Sequence, residues 1–303
     1  MITLAIPNRN GAAYLRDTLQ SLCSPENRGF VRWWLQDCCS EDNSIAIAEK
    51  FRSSVDEIRV EKDSGQANGL NRAFARMGGD IVGYINSDDC LTGGAAQVIC
   101  EAFDRHPKAG IVFGGVDWID KDGRVIGRHH GEILRLEHML DIYAYWWNRK
   151  QWAQPEVFFR RSLYEAVGGF DENFTLAFDF DFWIRILRLR PLVISVPQTL
   201  VRFRRHDQQR STDFERANSE ICRAVSRELK DPSCPLDPGF RRRLRTRLGY
   251  DLYHRKSELS PHRDLSFGRA LMQSPGWLLL PEVRGRILGA ARHRLQVPSR
   301  SLE

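Results

Sequence analysis

Gly79-Asp80-Ile81-Val82-Gly83-Tyr84-Ile85-Asn86-Ser87-Asp88-Asp89 decides how this chain is read. A turn glycine leads into an apolar run over residues 81–85, which stops on the polar segment Asn86-Ser87-Asp88-Asp89. A short apolar run between turn signals is the pattern of a buried strand. Three earlier runs stop in the same manner. Residues 2–6 end at Pro7-Asn8, residues 31–35 at Gln36-Asp37, and residues 58–60 near Asp63. Helix-period stretches lie between them. Residues 12–23 carry Leu15, Leu19 and Leu22 on one face, residues 44–51 follow Asp42 or Asn43 as N-cap, and residues 66–77 close at Gly78-Gly79. A helix over 95–103 and a strand over 111–113 continue the alternation. Strands separated by single helices predict a parallel α/β sheet. Ligands of such sheets bind beyond the carboxyl ends of the strands. Asn8, Asp37, Asp63, Asp88 and Asp89 are therefore expected on one rim. That rim suits a divalent cation or the donors of a nucleobase and ribose.

Beyond residue 113 the pattern changes. Residues 114–126 read as a hairpin turning at Asp120-Lys121-Asp122-Gly123. A helix is predicted over 134–142, a strand over 157–159, a helix over 162–167 stopped by Gly168-Gly169, a helix over 182–189, and strands over 192–196 and 200–203. From residue 213 the chain is polar, Arg-rich and helical in period, with Phe240, Leu244, Leu248 and Leu252 on one face. The predicted organisation is a main domain over 1–212, in halves 1–113 and 114–212, and a basic helical extension over 213–303.

Charge divides at the same place. Residues 1–212 hold 27 Lys and Arg against 28 Asp and Glu, a net of −1, whereas residues 213–303 hold 18 against 11, a net of +7. A near-neutral body argues against a nucleic-acid-binding protein. No apolar run approaches the ~18 residues of a membrane span, and the N-terminal residues do not read as a signal peptide. Seven cysteines, with no C-x-x-C pair, argue against a disulfide framework or a structural zinc site. Reduced thiols in a cytoplasmic protein are the plain reading. The fingerprints G-x-G-x-x-G, G-x-x-x-x-G-K-[ST] and G-x-S-x-G are all absent, which disfavours a dinucleotide-binding Rossmann site, a P-loop and an α/β-hydrolase.

Several segments have both a functional and a structural reading. Asn86-Ser87-Asp88-Asp89 suits Mn2+ or Mg2+ together with substrate phosphates, or else an ordinary turn. Ala177-Phe178-Asp179-Phe180-Asp181-Phe182-Trp183 sets two acids among aromatic residues. Residues two apart do not share a helix face, so one acid can reach a cleft as a general base while the other pairs elsewhere. In the structural reading Asp179 is only a helix cap. His206, in Arg204-Arg205-His206-Asp207, reads as a metal or phosphate contact or as a loop histidine. The aromatic residues between Tyr145 and Trp152 either stack on a sugar or base, or pack in the core.

Taken in order, these segments resemble family-2 glycosyltransferases. Ile2-Thr3-Leu4-Ala5-Ile6-Pro7-Asn8-Arg9-Asn10 is similar to the family's opening strand. Asp37-Cys38-Cys39-Ser40-Glu41-Asp42-Asn43-Ser44 is similar to its D-G-x-S-x-D-x-S/T segment, and the stretch from Asp63 to Asn71 to its D-x-G-x-x-x-A-x-N segment. The run from Gly79 to Asp89 resembles the strand with the D-x-D metal motif. Gln154-Pro155-Glu156, Val167-Gly168-Gly169-Phe170-Asp171 and the Asp179/Asp181 segment resemble the acceptor half.

The resemblance covers roughly residues 1–212. It implies an inverting enzyme of the GT-A fold: a mixed, mostly parallel central sheet flanked by helices, here with a helical C-terminal extension. The implied donor is a nucleotide-diphosphate sugar, with UDP-sugars favoured, the acceptor a glycan or lipid-linked hydroxyl, and the cofactor Mn2+ or Mg2+. The implied donor site is Pro7, Asn8, Asp37, Asp63, Asn71, Arg72, Asn86 and Asp88. The metal set is Asp88, Asp89 and His206. Asp179 is the base, with Asp181 as second choice, and Trp152, Gln154 and Pro155 form the acceptor region.

Two departures stand out. Asn86 takes a place that is often Asp, and Cys38-Cys39 replaces a glycine-bearing turn. A non-catalytic nucleotide-sugar or polysaccharide-binding homologue is the rival reading. For the tail, with Val283, Ile287, Leu288, Ala291 and Leu295 in a stripe, two readings stay open. It packs on the catalytic domain or a homodimer partner, or it docks peripherally on the inner face of an anionic membrane.

Overall fold

In a computed structural model of the chain, residues 1–209, 212–258 and 263–296 are described. They form two compact units, Met1–Val225 and Ser226–Glu303. The first unit is built on a nine-stranded sheet in which β1 (Ile2–Asn8) is the third strand from one edge. Its neighbours are β2 (Val31–Asp37) on one side and β4 (Ile81–Tyr84) on the other, both parallel to it. β3 (Glu57–Val60) extends the sheet beyond β2, again parallel. The connecting helices are α1 (Leu15–Leu22), α2 (Ser44–Glu49) and α3 (Gln66–Arg76). The chain winds outward from β1 to β3, and α3 then carries it back across to β4. β1 and β4 therefore flank the point where the winding reverses, the place at which open α/β sheets bind ligands.

Past β4 the sheet is mixed. Two-residue β5 (Cys90–Leu91) leads to α4 (Ala95–Arg105), then β6 (Ala109–Ile119) and its hairpin partner β7 (Val125–His130). β8 (Val157–Arg160) lies antiparallel between β4 and β6. The two predicted final strands are one, β9 (Leu192–Arg204), parallel to β6 with register shifts around Gly115. Gly114 explains the continuity: a Cβ there would meet Gln198 O at 2.7 Å, so a glycine lets the irregular part of β9 pass. Helices α5 (Leu136–Leu140), α6 (Arg161–Ala166) and α7 (Phe178–Leu187) complete the part of this unit after residue 113. α7 begins four residues before the predicted start. Leu4, Ile6, Trp33, Leu35, Ile99 and Phe103 are buried in a core between the sheet and its helices.

The remaining helices are α8 (Phe214–Lys230), α9 (Pro238–Glu258), α10 (Arg263–Gln273) and α11 (Pro281–Gln296). The second unit has its own small core of Tyr250, Phe267, Trp277 and Val283. Leu244 and Leu248 of the predicted α9 face are buried, while Leu252 is exposed. Of the predicted stripe on α11, Val283 is buried and Ile287 and Leu288 are exposed; the side chains of Ala291 and Leu295 lie outside the described residues. Among the described residues no helix is long and apolar enough to cross a membrane.

Arg161 closes the end of α3. Its Nη1 donates to Phe74 O (2.9 Å), Nη2 to Met77 O (2.7 Å) and Gly78 O (3.0 Å), and Nε to Gly79 O (2.7 Å). One planar cation thus satisfies carbonyls that the last helical turn leaves unpaired, at the negative end of the helix dipole. It fixes the turn that launches β4. Arg161→Ala is expected to destabilise the protein by about 2–3 kcal/mol, read as a lower denaturant midpoint. Arg161→Lys should recover less than half, because an ammonium cannot present the same fork.

Candidate functional site

The parallel strands bring the expected polar ends together. Asn8 and Asp37 are register partners, and Asn8 Nδ2 donates to Asp37 Oδ2 (2.6 Å). Asp37 is fully buried. Its Oδ1 accepts the Ser40 N–H (2.7 Å) and its Oδ2 the Ser40 hydroxyl (2.6 Å). Asp37 thereby holds the following turn, in which Cys39 adopts the left-handed φ of 50° that usually favours glycine. Asn8 Oδ1 is buried without a partner among the described residues and crowds Gly11, where a Cβ would lie 2.2 Å from it. Pro7 is half-buried beside Asn8. Asp63 is half-buried, accepts the Gly65 N–H (3.0 Å), and lies so near α3 that a Cβ on Gly69 would meet Oδ2 at 2.7 Å.

The two acids after β4 separate by role. Asp89 is fully buried, and both of its oxygens are engaged. Oδ1 accepts the Arg204 N–H (3.0 Å) and Oδ2 accepts from Asn86 Nδ2 (3.0 Å). Burial, and then the charge of Asp88, push its carboxyl well above the usual range. Asp88 is half-buried and meets His206 Nε2 through Oδ2 (3.0 Å). Tyr14 packs against the His206 ring at 4.7 Å. Asn86 also receives Gln66 Nε2 on its Oδ1 (2.8 Å). Gln154 Nε2 donates to Tyr84 O (2.9 Å), which ties the turn before β8 to the end of β4.

On α7 the structure separates Asp179 from Asp181. Asp181 is fully buried and ion-paired with Arg185 one helical turn on (2.8 Å). Asp179 stands in the first turn, half-buried. Its Oδ1 accepts the Phe180 N–H (2.7 Å), and Oδ2 accepts no hydrogen bond among the described residues. Burial pushes Asp179 up to about 6; the Phe180 N–H opposes this and the Glu220 carboxylate adds to it. Asp179 and Asp89 both act on the buried Tyr84 hydroxyl, which burial and then their charges raise. The base candidate and the acid end of β4 are thus near neighbours.

Glu220, from α8, is a residue that sequence reasoning missed. Its Oε2 accepts the N–H groups of Thr175 (2.9 Å), Leu176 (2.8 Å) and Ala177 (3.0 Å). Three amides and the positive end of a helix hold one carboxylate. This external cap explains why α7 starts at Phe178.

Other expected residues lie elsewhere. Asn71 anchors the loop before α7: Nδ2 donates to Phe170 O (2.9 Å) and Glu172 Oε1 (2.9 Å), and Oδ1 accepts from Phe170 N (2.9 Å) and the Tyr164 hydroxyl (2.8 Å). Arg72 donates to Lys62 O (3.0 Å) and neighbours Glu61, whose carboxyl is lowered to about 2, chiefly by its bond from Arg76. Pro155 is buried in its 3-10 turn. Trp152 corrects an expectation. It is buried against Phe113 and Trp183, with Nε1 donating to Glu132 O (2.9 Å), so it packs in the core rather than offering a face to a sugar.

Residues 3–168 match the family described as Glycosyl transferase family 2, more than half of the chain. The chain belongs to that family and is a glycosyltransferase. A Mycobacterium tuberculosis protein of uncharacterised function, MT1568, is 29% identical over 220 residues, 68% of this chain and 67% of its own length. A PGL/p-HBAD biosynthesis glycosyltransferase of Mycobacterium bovis is 25% identical over 189 residues, 61% of this chain and 69% of its own length. An uncharacterised Rickettsia bellii glycosyltransferase is 21% identical over 227 residues, but the chain spans only 32% of its length. Among solved structures, S. aureus TarS (residues 1–349) with UDP-GlcNAc aligns with a TM-score of 0.62 at 15% identity, covering 82% of this chain and 71% of that one. The mannosyltransferase PcManGT from Pyrobaculum calidifontis, with GDP-Man and Mn2+, aligns at 0.57 and 17% identity, covering 97% and 87%. The fold is therefore GT-A, a mixed sheet flanked by helices.

A carboxylate raised by burial makes the fold less stable once it ionises. For Asp179 the folded value lies above the unfolded one, so stability declines as pH rises from about 4 to about 6. Asp179→Asn is expected to gain about 1–2 kcal/mol at pH 8, a rise of a few degrees in melting temperature. The gain should vanish near pH 4. Equal melting curves at pH 8 would sink the assignment of an ionised, poorly solvated carboxylate.

Proposed function

We propose that the chain transfers a glycosyl group, with inversion, from a nucleotide-diphosphate sugar to a hydroxyl of a glycan or lipid-linked acceptor, with Asp179 as general base. The observation that carries this reading is Asp179 itself: one oxygen fixed by Phe180, the other without a protein donor, and affinity for a proton near neutral pH. A base with a value near 6 is largely ionised at pH 7 yet still takes a proton effectively. The acceptor hydroxyl gives its proton to Asp179 while its oxygen attacks the anomeric carbon. The bond from that carbon to the diphosphate breaks, and the diphosphate leaves with the electron pair. A single displacement inverts the carbon. Asp181, held by Arg185, orients the helix.

The donor would lie along the rim of Pro7, Asn8, Asp37, Asp63, Asn86 and Asp88. A UDP-sugar is favoured, in keeping with the UDP-GlcNAc of the TarS neighbour. A divalent cation fits Asp88 and His206, a carboxylate and an imidazole side by side on the rim. Among the described residues no three His, Cys, Asp or Glu side chains converge. The remaining positions therefore suit diphosphate oxygens, as is usual for Mg2+. Such an ion, Mn2+ or Mg2+, would neutralise the departing diphosphate. Asp89 serves as a positioning residue, since its oxygens are committed to Arg204 and Asn86. A glycan or lipid-linked acceptor accords with the mycobacterial PGL/p-HBAD relative.

Asp179→Asn should lower kcat by at least about 10²-fold while donor affinity stays within twofold. In the wild type, log kcat/KM should rise with pH through an apparent value near 6. Glu220→Gln removes a negative charge that raises Asp179, so the acid limb should move to lower pH. An unmoved limb would exclude Glu220 from tuning the base, and transfer surviving in Asp179→Asn would exclude Asp179.

The donor class is tested by melting the protein with UDP-, GDP- and dTDP-sugars, with and without Mn2+. One nucleotide should stabilise it by mass action, more strongly with Mn2+, and the Mn2+ increment should disappear in Asp88→Asn. No response to any nucleotide would point to the non-catalytic binding homologue instead.

A further inference from the structure

The second unit carries a groove that the transfer reaction does not use. It has a volume of about 390 Å3 and is lined by Arg242, Arg245, Thr246, Ser274, Gly276 and Trp277. That is within the roughly 300–1,000 Å3 of small-ligand sites. Arg242, Arg245 and Gly249 are spaced along one face of α9, and both guanidinium groups are exposed, with no ion-pair partner among the described residues. Thr246 and Ser274 add hydroxyls. Two unpaired guanidinium groups beside hydroxyls are the donor set that recognises phosphate oxygens.

The flanking residues are apolar and unburied. Trp277 turns inward to Tyr250, Phe267 and Val283. Its neighbours Leu278 and Leu279 do not: they are 45% and 78% exposed respectively, and Met272, two residues before the groove's Ser274, is 78% exposed. Large apolar side chains exposed within two residues of a cationic groove's lining suit an interaction surface. Cations level with phosphates and apolar groups reaching past them is the arrangement of a protein seated at a bilayer interface. The net charge of +7 over residues 213–303 has the complementary sign.

We propose that this face is a docking site for an anionic phospholipid bilayer. Arg242 and Arg245 bind lipid phosphates in the groove, and Met272, Leu278 and Leu279 enter the boundary between headgroups and acyl chains. This holds independently of the donor and acceptor.

The test is flotation of the full chain with vesicles of phosphatidylglycerol and phosphatidylcholine, against phosphatidylcholine alone, at low and high salt. The wild type should float with the anionic vesicles only, and less at high salt. Arg242→Gln with Arg245→Gln should weaken binding by about 25-fold, roughly fivefold per arginine. Met272→Ser with Leu279→Ser should also weaken it, leaving binding that salt abolishes. All four positions are exposed, and unchanged melting curves would confirm that the variants fold. Equal flotation with neutral vesicles, or no loss in either double variant, would overturn the proposal. So would displacement from vesicles by millimolar inorganic phosphate, which assigns the groove to a free anion. Binding to an oligonucleotide that matches vesicle binding and ignores Met272→Ser/Leu279→Ser would likewise overturn it, as general polyanion attraction.

Discussion

The buried carboxylate of Asp89 holds together two chain segments that the sheet keeps apart. β4 and β9 are separated by β8 and β6. Directly after Asp89 the chain forms β5, which pairs with β9 at Arg202 and Val201. Asp89 then accepts the Arg204 N–H, and the Arg204 guanidinium returns to Asp88 O (3.0 Å) and Asp17 Oδ2 (3.0 Å). A buried acid is costly unless its lone pairs are met. Here a backbone amide and the Asn86 side chain meet them. The consequence is local and chemical: two residues beyond Arg204, His206 arrives beside Asp88. The pair suited to a cation exists because the acid next to it is spent on structure.

The same division recurs on α7, where two carboxylates two residues apart again take opposite duties. Asp181 gives its charge to Arg185, which also donates to Val167 O (2.8 Å) and Gly169 O (2.7 Å). Asp179 keeps an oxygen uncommitted, and Glu220 secures the backbone just ahead of it. The negative charge of Glu220 does two things at once. It satisfies three amides, which steadies the helix start, and it makes ionisation of Asp179 harder. Asp179 thus keeps a costly, partly uncommitted carboxylate, while the neighbouring acids Asp181 and Glu220 are spent on the scaffold.

Much of this was legible in the residues. The strand-and-helix alternation over the first 113 residues and the stop signals at Asn8, Asp37, Asp63 and Asp88 follow from periodicity and turn chemistry, both local properties. The choice between Asp179 and Asp181 could also have been made, because Arg185 lies four residues after Asp181, the spacing of a helical ion pair. What could not be read depends on distant partners. Glu220 sits in a polar, Arg-rich helix where one acid draws no notice, and its partners are more than 40 residues away. β5 is two residues long, too short for any periodicity, yet its pairing with β9 brings Asp89 beside the Arg204 N–H. Trp152 belongs to an aromatic run that suits a sugar platform and a core equally, and only the neighbouring Phe113 and Trp183 decide between them.

The boundary between body and tail is sharper in charge than in structure. The basic stretch begins at residue 213, yet α8 supplies Glu220 to the catalytic unit, which extends to Val225. Removing everything after residue 212 would therefore take away the carboxylate that caps α7, along with the basic surface. A truncation meant to separate the extension from the first unit must keep α8, since Glu220 caps α7 and faces Asp179. The positive charge that sets the tail apart in composition lies mainly beyond that helix, in the unit with its own aromatic core.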